Sequence, residues 1–154
     1  MIELLGRTEF LSDLDITTLA DISTFSTYLS LHQGDILMSE NDKSNNAIYL
    51  LCSGDVEVLS NRSGITSGEV VLSNKDTEIF GEMRWLKPHG GRTATVRCKS
   101  DVKVIEIDGD KLMGYLEHNS KAGFLLMRRI ANILANRMRN TDVLLKQLLW
   151  NSQV

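Results

Sequence analysis

Two dipeptides stand at either end of a short stretch in FGEMRWLKPHGGRTATV, residues Phe80 to Val96: Gly81-Glu82 and Arg92-Thr93. Gly81 allows a tight turn and close backbone approach to a ligand. If Glu82-Met83-Arg84 opens a helical turn, the free N–H groups around Met83 and Arg84 can meet an anion. The Glu82 carboxylate accepts hydrogen bonds from hydroxyls. Arg92 carries a guanidinium fork suited to phosphate, and Thr93 adds a hydroxyl donor beside it. Between them, Pro88 (the chain's one proline) and His89-Gly90-Gly91 form a loop that can return Arg92 towards Gly81. The two pairs suit an anion that also bears hydroxyls. The plainer reading of the same residues is a surface turn with an exposed Glu–Arg ion pair.

The elements that must position these residues follow from the hydrophobic pattern. Residues 2–25 read as short helices, with Ser12-Asp13 as a cap before LDITTLADI. From Ser26 the pattern alternates and turns at Gln33-Gly34-Asp35. Ala47–Cys52 and Val56–Leu59 flank Ser53-Gly54-Asp55 as strand, turn and strand. Ser67–Ser73 reads as another strand. Thr93–Lys99 and Val102–Ile107 read as a second hairpin around Ser100-Asp101, its alternation weakened by Ile105. About eight short strands broken by Gly, Asn, Asp and Ser suggest an antiparallel sandwich, jelly roll or barrel.

After Ile107 the pattern is helical again. Asp108 can cap a helix over Gly109–Glu117, and Asn119 or Ser120 a longer one from Lys121 to about Trp150. In the longer one Met127, Ala131, Leu134, Met138, Thr141, Leu145 and Leu148 alternate in steps of four and three, a heptad seam. A second stripe, Leu126, Ile130, Ile133 and Leu144, is suited to facing the β domain. Two apolar stripes on one helix favour a homodimer through residues 121–150; the alternative is a monomer with the helix laid flat on the sheet. Thr141 is the polar member of the seam, followed by Asp142. Either its hydroxyl bonds back to its own helix, or something polar reaches the seam there.

Bulk properties narrow the classes. A length of 154 residues suits one domain, 1–154, able to bury ~70% of its unfolded surface. A net charge of -3 argues against a protein basic all over that coats nucleic acid. Arg128, Arg129, Arg137, Arg139 and Lys146 against Asp142 on the long helix read as a solvated basic face. Cys52 and Cys98 read as two reduced core thiols and are too few for a four-cysteine zinc or iron–sulfur site. His32, His89 and His118 are scattered, so no metal site and no catalytic set is expected, and the chain does not read as an enzyme. The start, MIELLGRTEFLSDL, is not a signal peptide, and no window holds the ~20 apolar residues of a membrane span. A cytoplasmic protein is expected.

FGEM followed nine residues later by RTATV resembles the phosphate-binding cassette of cyclic-nucleotide-binding domains, and the likeness runs over nearly the whole chain, through HQGDIL, AIYLLCSGDVEVL and DVKVIEID. The long last helix is similar to the dimerising helix of the catabolite-activator and fumarate–nitrate-regulator superfamily. The resemblance implies an α+β, mainly β fold: an antiparallel eight-stranded β-roll, or jelly roll, over 26–107, with its cassette at 80–96, N-terminal helices over 1–25 and C-terminal helices over 108–150. It implies that Glu82 binds a ribose 2′-hydroxyl, that Gly81 and the N–H groups around Met83 and Arg84 approach ribose and phosphate, and that Arg92 pairs with a cyclic phosphate helped by Thr93. Thr141 and Asp142, in RMRNTD, would approach the base. The implied ligand is cAMP or cGMP, with no other cofactor, and the implied partner is an effector protein.

Arg84 and Trp85 depart from the family's Ala and Leu, and Asp142 replaces a serine. The family's regulators carry a DNA-reading module after the long helix that this sequence lacks, so a self-sufficient transcription factor is not expected. The alternative to a sensor is a degenerate fold serving as a dimeric interaction module without ligand.

Overall fold

The computed structural model describes residues 1–39, 42, 45–61, 69–72, 78–87 and 94–152. Helices α1 (Ile2–Arg7) and α2 (Ile16–Ser23) lead into strands β1 (Ser26–Leu31), β2 (Ile36–Met38), β3 (Ile48–Ser53), β4 (Val56–Asn61), β5 (Glu69–Leu72) and β6 (Ile79–Phe80). The one-turn helix α3 (Glu82–Leu86) precedes β7 (Thr95–Cys98) and β8 (Val102–Ile107). Helices α4 (Gly109–His118) and α5 (Ser120–Ser152) close the chain.

Among the described residues the strands form two four-stranded antiparallel sheets, β1-β8-β3-β6 and β2-β7-β4-β5, a β-roll with helices at both ends. Two sequence expectations are corrected here. The segments read as hairpins, β3 with β4 and β7 with β8, do not pair with each other. Each turn instead carries the chain from one sheet to the other, so β3 pairs with β8 and β4 with β7. The two turns pack together at one corner of the roll: Asp55 N donates to Ser100 Oγ at 2.9 Å and Lys99 N to the Asp55 carbonyl at 2.8 Å. A local turn signal marks where a strand ends, and non-local contacts of this kind decide which strand it then joins.

The weak alternation of β8 has a structural cause. Val102 and Val104 point into the roll with Tyr49, Phe80 and Val96, while Ile105 and Ile107 join Ile48 and Leu50 under the helices. Over Ile48–Leu50 and Val104–Ile105 the first sheet is buried on both faces, so both faces are apolar there. Cys98 is buried, but Cys52 is exposed, against expectation; it lies where the pairing of β3 shifts register between Leu51 and Ser53.

Helix starts follow side-chain caps. Asp108 accepts from Lys111 N at 3.1 Å and opens α4 as expected. Helix α2 starts later than expected, because Asp15 is its cap, accepting from Thr18 N at 2.8 Å. Asp13 is thereby free for another role: its carboxylate takes both arms of Arg129, at 2.7 and 3.0 Å, and ties α5 to the N-terminal segment.

Helix α5 divides in two. Leu126 and Ile130 are buried in the core, with Met127, Ile133 and Leu134 packed against its edge. Beyond Arg137 every residue through Trp150 is exposed, including the seam residues Met138, Leu145 and Leu148. Leu144, expected to face the β domain, is 59% exposed. The helix has left its own domain by then. Three cations of its basic face find partners: Arg129 on Asp13, Arg137 on Glu82, and Arg128 over the Phe124 ring at 5.4 Å. No helix among the described residues is long and apolar enough to cross a membrane.

Candidate functional site

The site is built on the step from β6 to α3. Gly81 sits there with φ 88°, in the left-handed region that a side chain disfavours, and is buried. It turns the chain so that Glu82 begins α3 with its side chain directed inward. Glu82 is 4% exposed, one of the few buried polar or charged residues among those described. A buried carboxylate requires a partner. Arg137 supplies it from α5: its Nη1 donates to Glu82 Oε1, and its Nη2 donates to the Ile79 carbonyl at 3.1 Å. One guanidinium therefore clamps the end of β6 and the start of α3 to the long helix.

Trp85 fixes the other end of α3. It is 1% exposed, its Nε1 donates to the Gly109 carbonyl at 2.8 Å, and Phe10 meets its ring edge-on at 6.3 Å. Gly109, the first residue of α4, has no room for a side chain: a Cβ there would lie 1.8 Å from the Asn46 carbonyl oxygen and 2.8 Å from the Trp85 ring. Helix α3 is thus bound to α4 through Trp85 and to α5 through Glu82.

The remaining residues singled out by sequence fall as follows. Met83 is 47% exposed. The Arg84 Nε donates to the Asn45 carbonyl at 3.1 Å. Arg92 and Thr93 lie outside the described residues, as do Pro88 to Gly91. Thr141 stands one turn beyond Arg137 and donates its hydroxyl to the Arg137 carbonyl at 3.0 Å, the back-bond foreseen as one of its two readings. Asp142 is exposed on the same helix. The structure therefore joins the Gly81-Glu82 turn through Arg137 to the turn carrying Thr141.

Arg137 is the residue that sequence reasoning passed over. By sequence it reads as one of the cations of a solvated face. The available signal was its place one helical turn before Thr141 and one turn after Ile133, at the edge of the apolar stripe, where a cation can reach an inward acid. Among the described residues no group of three or more His, Cys, Asp or Glu side chains is placed to hold a metal.

Residues 28–119, more than half of the chain, match the family model of the cyclic nucleotide-binding domain. Among solved structures, a protein named for cyclic nucleotide binding from Geobacter metallireducens GS-15 is 28% identical, with TM-score 0.68, over 88% of this chain and 96% of that one. The N-terminal domain of a transcriptional regulator from Streptomyces coelicolor A3(2) is 24% identical, with TM-score 0.64, over 92% and 94%. The Thermus thermophilus catabolite activator protein is 22% identical, with TM-score 0.71, over 92% of this chain and 63% of that longer one. No curated protein sequence matches the chain.

Proposed function

Because this chain belongs to the cyclic nucleotide-binding domain family, we propose that it is a regulatory sensor for cAMP or cGMP, which couples ligand binding to the position of α5. The observation that carries this reading is the buried Glu82 carboxylate, set behind a left-handed Gly81 and held by a guanidinium from α5. In this reading the ribose 2′-hydroxyl donates to Glu82. The backbone N–H groups around Met83 and Arg84 approach ribose and phosphate. Arg92 pairs with the cyclic phosphate and Thr93 supports it, both by resemblance. Thr141 and Asp142 approach the base, the Thr141 hydroxyl retaining lone pairs beyond its back-bond.

The coupling runs through Arg137. A ribose that takes a share of the Glu82 carboxylate changes what Arg137 holds, and so changes where α5 is stable. Ligand shifts that balance only by its different affinity for the two helix positions. The exposed seam of Met138, Leu145 and Leu148 serves a homodimer through residues 121–150, and the moving helix presents the signal to an effector protein. Enzyme activity is no part of this role.

The competing reading, a dimeric interaction module with a degenerate pocket, draws on Arg84, Trp85 and Asp142, and an Arg84 turned inward would support it. The Arg84 Nε donates to Asn45 instead, so that reading lacks that support. Calorimetric titration of nucleotide-stripped protein with cAMP and with cGMP is the test. Saturable binding near one ligand per chain supports the sensor and identifies the base. Absence of heat with either nucleotide, for folded protein, overturns it.

A further inference from the structure

A cleft of about 320 Å³ opens on the outer side of the first sheet, between the turn after α1, the β6 entry and α5. Glu82 is not among its described lining residues, though Ile79 and Arg137, which meet beside Glu82, are. Its floor is apolar and buried: Phe10, Leu50 and Ile79 are 1–3% exposed, with Ile133 beside them. Its rim is polar and exposed. Asn136 and Asn140, one helical turn apart, present two carboxamides to it, and among the described residues neither has a hydrogen-bond partner. An apolar floor with a few convergent polar groups, at this volume, is the usual layout of a small-molecule site.

The rim also selects the ligand class. Each carboxamide offers a donor beside an acceptor, the pairing that reads an amino-bearing heterocycle edge-on. Glu9 and Glu78 on the rim accept from amino groups and repel anions. The charge of Arg137 is already matched by Glu82, which leaves Arg139 as the one uncommitted cation among the described lining residues.

We propose that this cleft is a second binding site, for an uncharged amino-bearing heterocycle of nucleoside size, read by Asn136 and Asn140. Two of its lining residues touch α3: Phe10 meets Trp85, and Arg137 holds Glu82. An occupant therefore bears on both ends of that helix without entering the roll.

The test uses adenosine as probe and inosine, which lacks the amino group, as comparator, on the full chain. Adenosine should bind saturably, with inosine weaker, and the substitution pair Asn136→Leu with Asn140→Leu should weaken adenosine about tenfold or more, the worth of one bidentate pair. Thermal melting checks that this variant is folded. Arg92→Ala, which removes the residue assigned to the cyclic phosphate, should leave adenosine binding unchanged; this separates failure of the cleft from failure of the cyclic-nucleotide pocket. No adenosine binding to folded protein, equal binding of inosine, or binding lost with Arg92→Ala would overturn the proposal.

Discussion

Arg137 and Glu82 stand 55 residues apart in sequence, and the guanidinium of one closes on the buried carboxylate of the other. Glu82 begins the helix that follows β6; Arg137 lies on α5 at the point where that helix leaves the core. Among the described residues the pair is thus the last attachment of the long helix to the roll. An event at the Glu82 carboxylate has a direct route to the exposed half of α5, with no chain of intermediate side chains required.

Removing Arg137 should be costly. Arg137→Ala leaves Glu82 charged, buried and unpaired, at a cost of about 3 kcal/mol, the lower end for a broken buried pair because Arg137 keeps some solvent contact. Glu82→Gln in the same chain should restore part of that loss. Urea unfolding of the two single variants and the double variant gives the coupling. Additive losses would mean that the pair contributes nothing jointly.

If Arg92 pairs with the cyclic phosphate as proposed, Arg92→Ala should weaken nucleotide binding by about 2–5 kcal/mol, the cost of removing one partner of a buried charge pair. That corresponds to roughly 30- to several-thousand-fold in Kd. Calorimetry reads it directly, and an unchanged affinity would place the phosphate elsewhere.

Gly109→Ala should be among the most damaging single-methyl additions in the chain. The added carbon would fall 1.8 Å from the Asn46 carbonyl oxygen, which is backbone and cannot rotate aside. A shift of α4 away from Trp85 would follow, at a cost of about 3 kcal/mol or more, the upper end for overpacking, because the overlap is with backbone. Trp85→Phe should cost less, about 1–3 kcal/mol, chiefly from the Gly109 carbonyl left without its donor. Chemical denaturation should rank Gly109→Ala as the worse of the two, and the reverse order would show that α4 yields easily.

Much of this architecture was legible in sequence, for identifiable reasons. Strand positions could be read because Gly, Asp and Ser break them, and α4 because Asp108 caps it. Strand partners could not, because the turns at Gly54 and Ser100 look local while their contacts are with each other. Ile105 disturbed the alternation because helices cover the second face of its sheet, a tertiary fact. Glu82 stood out through its glycine and its distance from Arg92. Arg137 did not, because a helical arginine reads as solvated until its acid is found 55 residues earlier.

Asp13 should give the docking of α5 an acid limit. The hydrogen bond from Arg129 holds its carboxyl below the ordinary 3.8, desolvation opposes this, and the nearby charges of Arg129 and Arg128 add to the lowering. A depressed folded value means that the contribution is present above about 3.8 and is lost as pH falls through the lowered value. Acid titration followed by circular dichroism should show Asp13→Asn with a shallower loss of stability in that window than the parent chain. Identical acid profiles would show that the Asp13–Arg129 pair is too solvated to matter.

The exposed half of α5 makes the last prediction. Met138, Leu145 and Leu148 are 64%, 51% and 60% exposed and recur at heptad spacing. A helix this apolar gains from burying that face against a second copy of itself. Met138→Glu places a carboxylate in the seam, where it meets its own symmetry mate as well as apolar neighbours, and both effects oppose association. Sedimentation should show the parent chain as a dimer and the variant shifted towards monomer. The buried half of the helix, held by Leu126, Ile130 and Arg129 on Asp13, should keep its fold, so the melting temperature of the monomer should report the roll alone. If the variant sediments as the parent does, the seam is not the surface that joins two copies.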